Sequence, residues 1–124
     1  MIINTARDAA ALLEPHFASC EGEKLVAAHL DAERGLIRAI EQAGQADEVD
    51  LSIRAIIADA LALGASGLIV AHNHPSGDPM PSEADLAATR ALAATADSVG
   101  IRFHDHLIFG KSGDCRSFRA LGLI

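Results

Sequence analysis

Tryptophan and tyrosine are absent from this chain, and phenylalanine occurs only four times in 124 residues. A core without large rings has to be built from Ala, Leu, Ile and Val, and a hydrophobic content of 50% leaves enough of them to form one. Positive charge is scarce too: 10 Lys and Arg stand against 17 Asp and Glu, a net charge of -7. Binding to a phosphate backbone relies on clustered Lys and Arg, and no such cluster occurs, so the balance argues against a nucleic-acid surface. The only cysteines, Cys20 and Cys115, form no close pair that would suggest a zinc clip, and both are expected to be reduced and structural. No secretory leader opens the chain, and no uncharged apolar run reaches the roughly 18 residues that span a bilayer. A soluble cytoplasmic protein without a membrane partner is the expectation. No repeat, low-complexity tract or linker divides residues 1–124, so a single domain is expected over the whole length.

Thr5 is placed to cap a first helix, with Asp8 three residues on, and Pro15 stops that helix. KLVAAHL at 24–30 and LIRAIEQ from 36 read as two strands joined by the turn residues DAERG, a hairpin with a loop longer than two residues. AGQADEVD at 43–50 is a polar, acidic loop. Ser52 can cap a second helix, in which Ile53, Ile56, Ile57, Ala60 and Leu61 recur at helical spacing up to Gly64. SGLIVAH at 66–72 is a short apolar run, as in a strand buried on both faces. Ser82 opens a third helix that reaches about Val99, with Leu86, Leu92, Ala93, Ala96 and Val99 on its apolar face, and IRFHDHLIF at 101–109 is a further strand. Strands and helices alternate, so the fold class is α/β, and the early hairpin makes the sheet a mixed one flanked by helices.

The chemistry concentrates in residues 71–85, AHNHPSGDPMPSEAD. Side chains at i and i+2 of a strand share a face, so His72 and His74 can project from the end of the buried strand toward one point. Pro75 ends the strand. Asp85 falls in the first turn of the following helix, from which a carboxylate can face back toward the histidines. Two neutral imidazoles and a carboxylate leave one tetrahedral position of Zn²⁺ open, the usual construction of a catalytic zinc site. Ser82-x-x-Asp85 equally fits a capping box, which needs no metal.

HNHPSGDPMPSEAD at 72–85, DHLIFG at 105–110 and SFRALGL at 117–123 resemble the RadC branch of the JAB/MPN domains, whose metal-dependent members carry the JAMM signature H-x-H-P, a loop, then S-x-x-D. The likeness runs from about Glu23 to Ile124. It implies a JAB/MPN, cytidine-deaminase-like architecture, zinc on His72, His74 and Asp85, and hydrolysis of a peptide or isopeptide amide bond. It also implies an upstream glutamate as general base. EKLVAAHLD at 23–31 puts that role on Glu23, with Glu21 as the neighbouring alternative. Ser82 aligns with the serine whose hydroxyl helps to stabilise a tetrahedral oxyanion.

His104, Asp105 and His106 form a second cluster, in which His104 and His106 would share one strand face and Asp105 the other. It could hold a second metal, but only Asp105-His106 matches the RadC pattern, and a structural or supporting role is favoured, with Asp105 the better candidate to orient a ligand histidine by accepting its ring N–H. His16 and His29 have no evident partners. RadC-like chains typically carry an N-terminal helix-hairpin-helix region associated with DNA, and none is expected here. A Gly-Thr element expected after the hairpin is replaced by AGQADEVD. The residues and the resemblance together are compatible with three functions. The first is a zinc hydrolase acting on a peptide or protein-conjugate substrate. The second is a RadC-type accessory protein in DNA repair, which the charge disfavours and the resemblance allows. The third is a non-catalytic binding module stabilised by its metal. The sequence fixes no oligomeric state.

Overall fold

The structure, a computed structural model, describes residues 1–18, 22–43 and 52–124. Cys20, Glu21 and residues 44–50 of the acidic segment, where the Gly-Thr element was expected, lie outside the described residues. The elements run in the order α1 (Ala6–Leu13), β1 (Lys24–Leu30), β2 (Leu36–Ala43), α2 (Ile53–Ala62), β3 (Gly67–Asn73), α3 (Glu83–Ser98), β4 (Arg102–Phe109) and β5 (Cys115–Ser117). The strands form one mixed sheet in the order β2-β1-β3-β4-β5. β1 pairs antiparallel with both β2 and β3, whereas β3 and β4 are parallel and need α3 as their crossover.

Alternation divides the sheet's side chains between two cores. Leu25 and Ala27 of β1, Leu68 and Val70 of β3, and Phe103 of β4 pack against Ile56, Ile57 and Ala60 of α2 and Leu92 and Ala96 of α3. Val26, Ala28, Leu30, Ile69, Ala71 and Leu107 face the other way, against Ile3, Ala9 and Leu13 around α1. β3 is buried over its whole length, as its unbroken apolar run requires.

The local signals act where the residues dictate. At α1, the Thr5 hydroxyl accepts from the Asp8 amide and the Asp8 carboxylate accepts from the Thr5 amide, a complete capping box. Pro15, lacking an N–H, sits in the 3-10 turn Glu14–His16 that ends the helix. Three expectations at helix ends need correction. Ser52 stands at the α2 N-cap, but its side chain makes no capping bond. Leu61 is 56% exposed and Val99 43%, so neither belongs to the core face, while Thr89, a residue without an apolar label, is fully buried on α3. Phe118 is the largest fully buried side chain, so the aromatics, although few, do enter the core. Burial pushes the Cys115 thiol up to about 11, followed by the nearby Asp105 charge, so this cysteine stays protonated and unreactive at neutral pH.

Candidate metal centre

β3 delivers His72 from its last turn of alternation, and the chain then folds back on itself. The Gly77 amide bonds to the His74 carbonyl at 2.9 Å, and Gly77 has φ 90, a conformation open to a residue without a β-carbon. Gly110, at the end of β4, lies against the Gly77 carbonyl and Pro79, where a side chain would collide. The turn brings the Asp78 carbonyl to 2.8 Å from His74 Nδ1. Ser82 then caps α3 in a second complete capping box with Asp85, at 3.0 Å from Asp85 N to Ser82 Oγ and 2.9 Å from Ser82 N to Asp85 Oδ2.

The capping geometry does not take Asp85 away from the histidines. His74 Nε2 lies 3.1 Å from Asp85 Oδ2 and 3.1 Å from His72 Nε2, and His72 Nε2 lies 3.5 Å from Asp85 Oδ1. The three side chains could hold one metal ion, since all their ligand atoms fall within 4.8 Å of one another. Capping and convergence therefore coexist in one carboxylate, each oxygen having more than one lone pair.

Two further residues determine which imidazole nitrogens carry hydrogen. His72 Nδ1 is 2.6 Å from His106 Nε2, and His106 Nδ1 is 2.6 Å from Thr89 Oγ1. The Thr89 hydroxyl donates to the Asp85 carbonyl at 2.7 Å, so its one hydrogen is committed and it must accept from His106 Nδ1–H. Neutral His106 then offers a bare Nε2, which accepts from His72 Nδ1–H, and this leaves His72 Nε2 without a hydrogen. His74 reaches the same state independently, because its Nδ1 faces a carbonyl, which can only accept. Three acceptor atoms converge with no hydrogen among them. That arrangement is repulsive until a proton on His74 Nε2, shared with Asp85 Oδ2, or a metal cation relieves it, and it is a donor set that zinc can take.

Electrostatics agree with neutral His72 and His106 beside a charged Asp85. Burial pushes the pKa of His72 below 6.5 against the pull of Asp85, and burial pushes His106 further still. Burial also works against the charge on Asp85, but the bond donated by the Ser82 amide helps to hold its carboxyl well below the usual carboxylate range. His29, fully buried in β1 with no hydrogen-bond partner at either ring nitrogen, is likewise pushed below 6.5 by burial, although Asp59 pulls the other way. Below pH 6.5 the unfolded chain protonates at residues 29 and 106 while the folded chain does not, so stability falls as pH drops from 6.5 toward the lowered native values. Each of the two contributes a slope of up to about 1.4 kcal/mol per pH unit. Urea midpoints at about pH 7.5 and about pH 5.5 measure it, and equal midpoints would contradict neutral burial.

Glu23 immediately precedes β1. Its neighbours are bridged by Asn73, the residue between the two histidines: the Lys24 amide donates to Asn73 Oδ1 at 2.8 Å, and Asn73 Nδ2 donates to the Gly22 carbonyl at 3.0 Å. Leu25 pairs with His72, so by alternation Glu23 belongs to the sheet face that carries His72, and its Oε2 is buried. Asp105 is not the orienter of a ligand histidine. Its carboxylate accepts from the Ser117 hydroxyl, from the His106 amide at 2.8 Å and from the Arg119 amide at 3.0 Å, tying β4 to the C-terminal turn. His104 does not share a face with His106 either. The β3–β4 register skips residue 104 in a bulge, which turns His104 toward the α1 side while His106 faces α3. His16 has a partner after all, Glu41 Oε2 at 2.5 Å, with Lys24 Nζ 3.3 Å from Oε1. Thr89 and Asn73 carried no sequence signal that singled them out, and the orienting role expected of Asp105 falls to its neighbour His106. The most that was available for Thr89 was its spacing, four residues after Asp85 on the same helix face.

The comparisons with known proteins bear on this arrangement as a whole. A family model described as RadC-like JAB domain matches residues 3–123. A UPF0758 protein of Rhodobacter capsulatus is 48% identical over 96 residues, which cover 77% of this chain and 44% of that protein. A UPF0758 protein of Ruegeria pomeroyi is 44% identical over 105 residues, covering 84% of this chain and 46% of that one. The chain thus spans less than half the length of these curated relatives. The mixed five-stranded sheet with its three helices is consistent with the JAB/MPN fold, and no described helix is long and apolar enough to cross a membrane. With the match covering nearly every residue and the histidine–aspartate cluster at the end of β3, this chain belongs to the RadC-like JAB domain family.

Proposed function

We propose that this domain is a zinc-dependent hydrolase of peptide or isopeptide amide bonds. The observation that carries the reading is the convergence of His72 Nε2, His74 Nε2 and Asp85 on one point with both imidazoles presenting bare nitrogens. A zinc ion held there supplies a Lewis acid that polarises a carbonyl and makes water nucleophilic near neutral pH. Glu23 accepts the proton that the attacking water releases and returns it to the leaving amine as the C–N bond breaks. The Ser82 hydroxyl accepts from Asp85 N in the cap, which leaves its own hydrogen available to donate to the carbonyl oxygen as negative charge builds there. Asn73 keeps the segment carrying Glu23 against the end of β3.

The test is in two parts. Protein purified without a polyhistidine tag is expected to carry about one zinc per chain, lost in His74→Ala. A panel of fluorogenic peptide and Nε-acyl-lysine amides is expected to yield at least one substrate whose hydrolysis stops with a chelator and returns with zinc. Zinc bound at that ratio with no amide cleaved across the panel would leave the metal assignment standing and remove the hydrolase.

A further inference from the structure

Arg34, Arg102 and Arg119 gather at the opposite end of the sheet from the metal centre, around His104, in a chain whose net charge is -7. The register fixes that separation. Arg102 pairs with Gly67 at the starts of β4 and β3, whereas His72 and Asn73 lie at the far end. Among the described residues none of these three guanidinium groups forms an ion pair with a carboxylate. Two of them line a cavity of about 240 Å³ whose apolar side is Ile3, Ala9 and Ile69 and whose polar rim is Arg34, His104 and Arg119. The volume is below the range of drug-sized sites, so its occupant is small.

The rim is built rather than loose. Arg119 is held by its Nε to the His104 carbonyl at 2.6 Å and by a second nitrogen to the Phe103 carbonyl at 3.3 Å. Arg34 has φ 64, gives one nitrogen to the Asn4 carbonyl at 3.4 Å, and is fixed through its own carbonyl, which accepts from the Ile3 amide at 2.9 Å. A guanidinium has five N–H donors, so both retain unused ones. Burial, followed by Arg34, Arg102 and Arg119, pushes the His104 pKa below 6.5, so the ring is a neutral hydrogen-bonding group in a field set by the arginines. Asp105 also lines the cavity, but its carboxylate is already taken by the Ser117 hydroxyl and the His106 and Arg119 amides.

We propose that this cavity binds a small carboxylate with a short aliphatic body, the carboxylate against Arg34 and Arg119 and the body against Ile3, Ala9 and Ile69. Charge alone would suit any anion. The apolar wall selects one that brings hydrocarbon with it, and the planar fork of arginine matches a carboxylate. A free branched-chain acid and the C-terminal residue of a peptide present the same chemistry. The site is independent of the metal centre and of any hydrolytic activity.

Amide NMR spectra of the chain titrated with isovalerate test it. Saturable shifts are expected at Thr5, Ala6, Arg34 and Ala120, with a Kd of roughly 1 mM. Isoamyl alcohol, with the same body and no charge, and inorganic phosphate, with charge and no body, should give none. Arg34→Gln should weaken isovalerate on the order of tenfold, the loss of one charge-assisted hydrogen bond, while Arg7→Gln, outside the cavity, should not. Ala120→Leu, filling the cavity from an exposed turn, should give a comparable loss and serves if Arg34→Gln disturbs the fold. N-acetyl-leucine binding beside isovalerate identifies a peptide C-terminus as the source, and its failure restricts the site to free acids. The proposal is overturned if isovalerate does not saturate, if the alcohol or phosphate moves the same amides equally, or if both variants bind like the native chain.

Discussion

His106→Ala is expected to lower the free energy of unfolding by about 3–5 kcal/mol, the largest single loss foreseen for a residue that touches no bulk solvent. The ring is 0% exposed and stacks on Phe118 with centroids 4.5 Å apart and planes 12° from parallel, so its removal leaves a cavity beside the largest buried side chain. It also strips the hydrogen-bond acceptor from His72 Nδ1, 2.6 Å away, in a place no water reaches easily. The second consequence concerns the metal. Without an acceptor at that position, His72 can carry its hydrogen on either nitrogen, and zinc affinity should fall about 10–100-fold even in the molecules that remain folded. Thr89→Val separates the two effects. It keeps the volume and removes only the oxygen that fixes His106, so the expected cost in stability is about 1–2 kcal/mol while zinc affinity falls by about tenfold. Guanidinium unfolding and competition against a chelator read the two quantities. Native zinc affinity in both variants would mean that the Thr89–His106 pair packs the core and does nothing for the ligand.

The candidate ligands of this site were legible because they are local. His72 and His74 are two residues apart at a strand end, and Asp85 is the third residue of the helix that follows, so spacing alone brings them together. The support beneath them was not legible, since it spans the fold. His106 meets His72 across 34 residues and Thr89 across 17, and nothing in either local pattern names its partner. Asp105 looked the better orienter because carboxylates so often fill that role and because unbroken alternation would have put His104 beside His106. One bulge between Phe103 and Asp105 removed that premise. Asn73 passed as a spacer between two histidines, yet its side chain bridges β3 to the segment before β1. The strand order was half legible. The hairpin followed from its turn, but that β1 lies between β2 and β3 depends on burial of both its faces, which the apolar residues of KLVAAHL permit without demanding.

Glu23→Gln is expected to reduce turnover of any amide substrate by about 10²–10⁴-fold while leaving zinc content and the unfolding midpoint at native values. The substitution keeps the size and hydrogen-bonding reach of the side chain and removes only its capacity to take up a proton, so a fall in kcat without a fall in metal content isolates proton transfer. The placement of the residue gives the expectation its force. By alternation from Leu25, the pairing partner of His72, Glu23 belongs to the sheet face that carries His72, and the backbone on either side of it is bonded to Asn73. Asn73→Ala, which releases both of those bonds, should lower kcat by a smaller factor and leave zinc bound, because Asn73 touches neither imidazole through its side chain. The neighbouring carboxylate decides the assignment. If Glu23→Gln turns over normally and Glu21→Gln does not, the base is Glu21 and the bridge through Asn73 positions the wrong residue. If both turn over normally, the proton leaves the site by a path that uses neither, and the glutamate mechanism fails with the metal site intact.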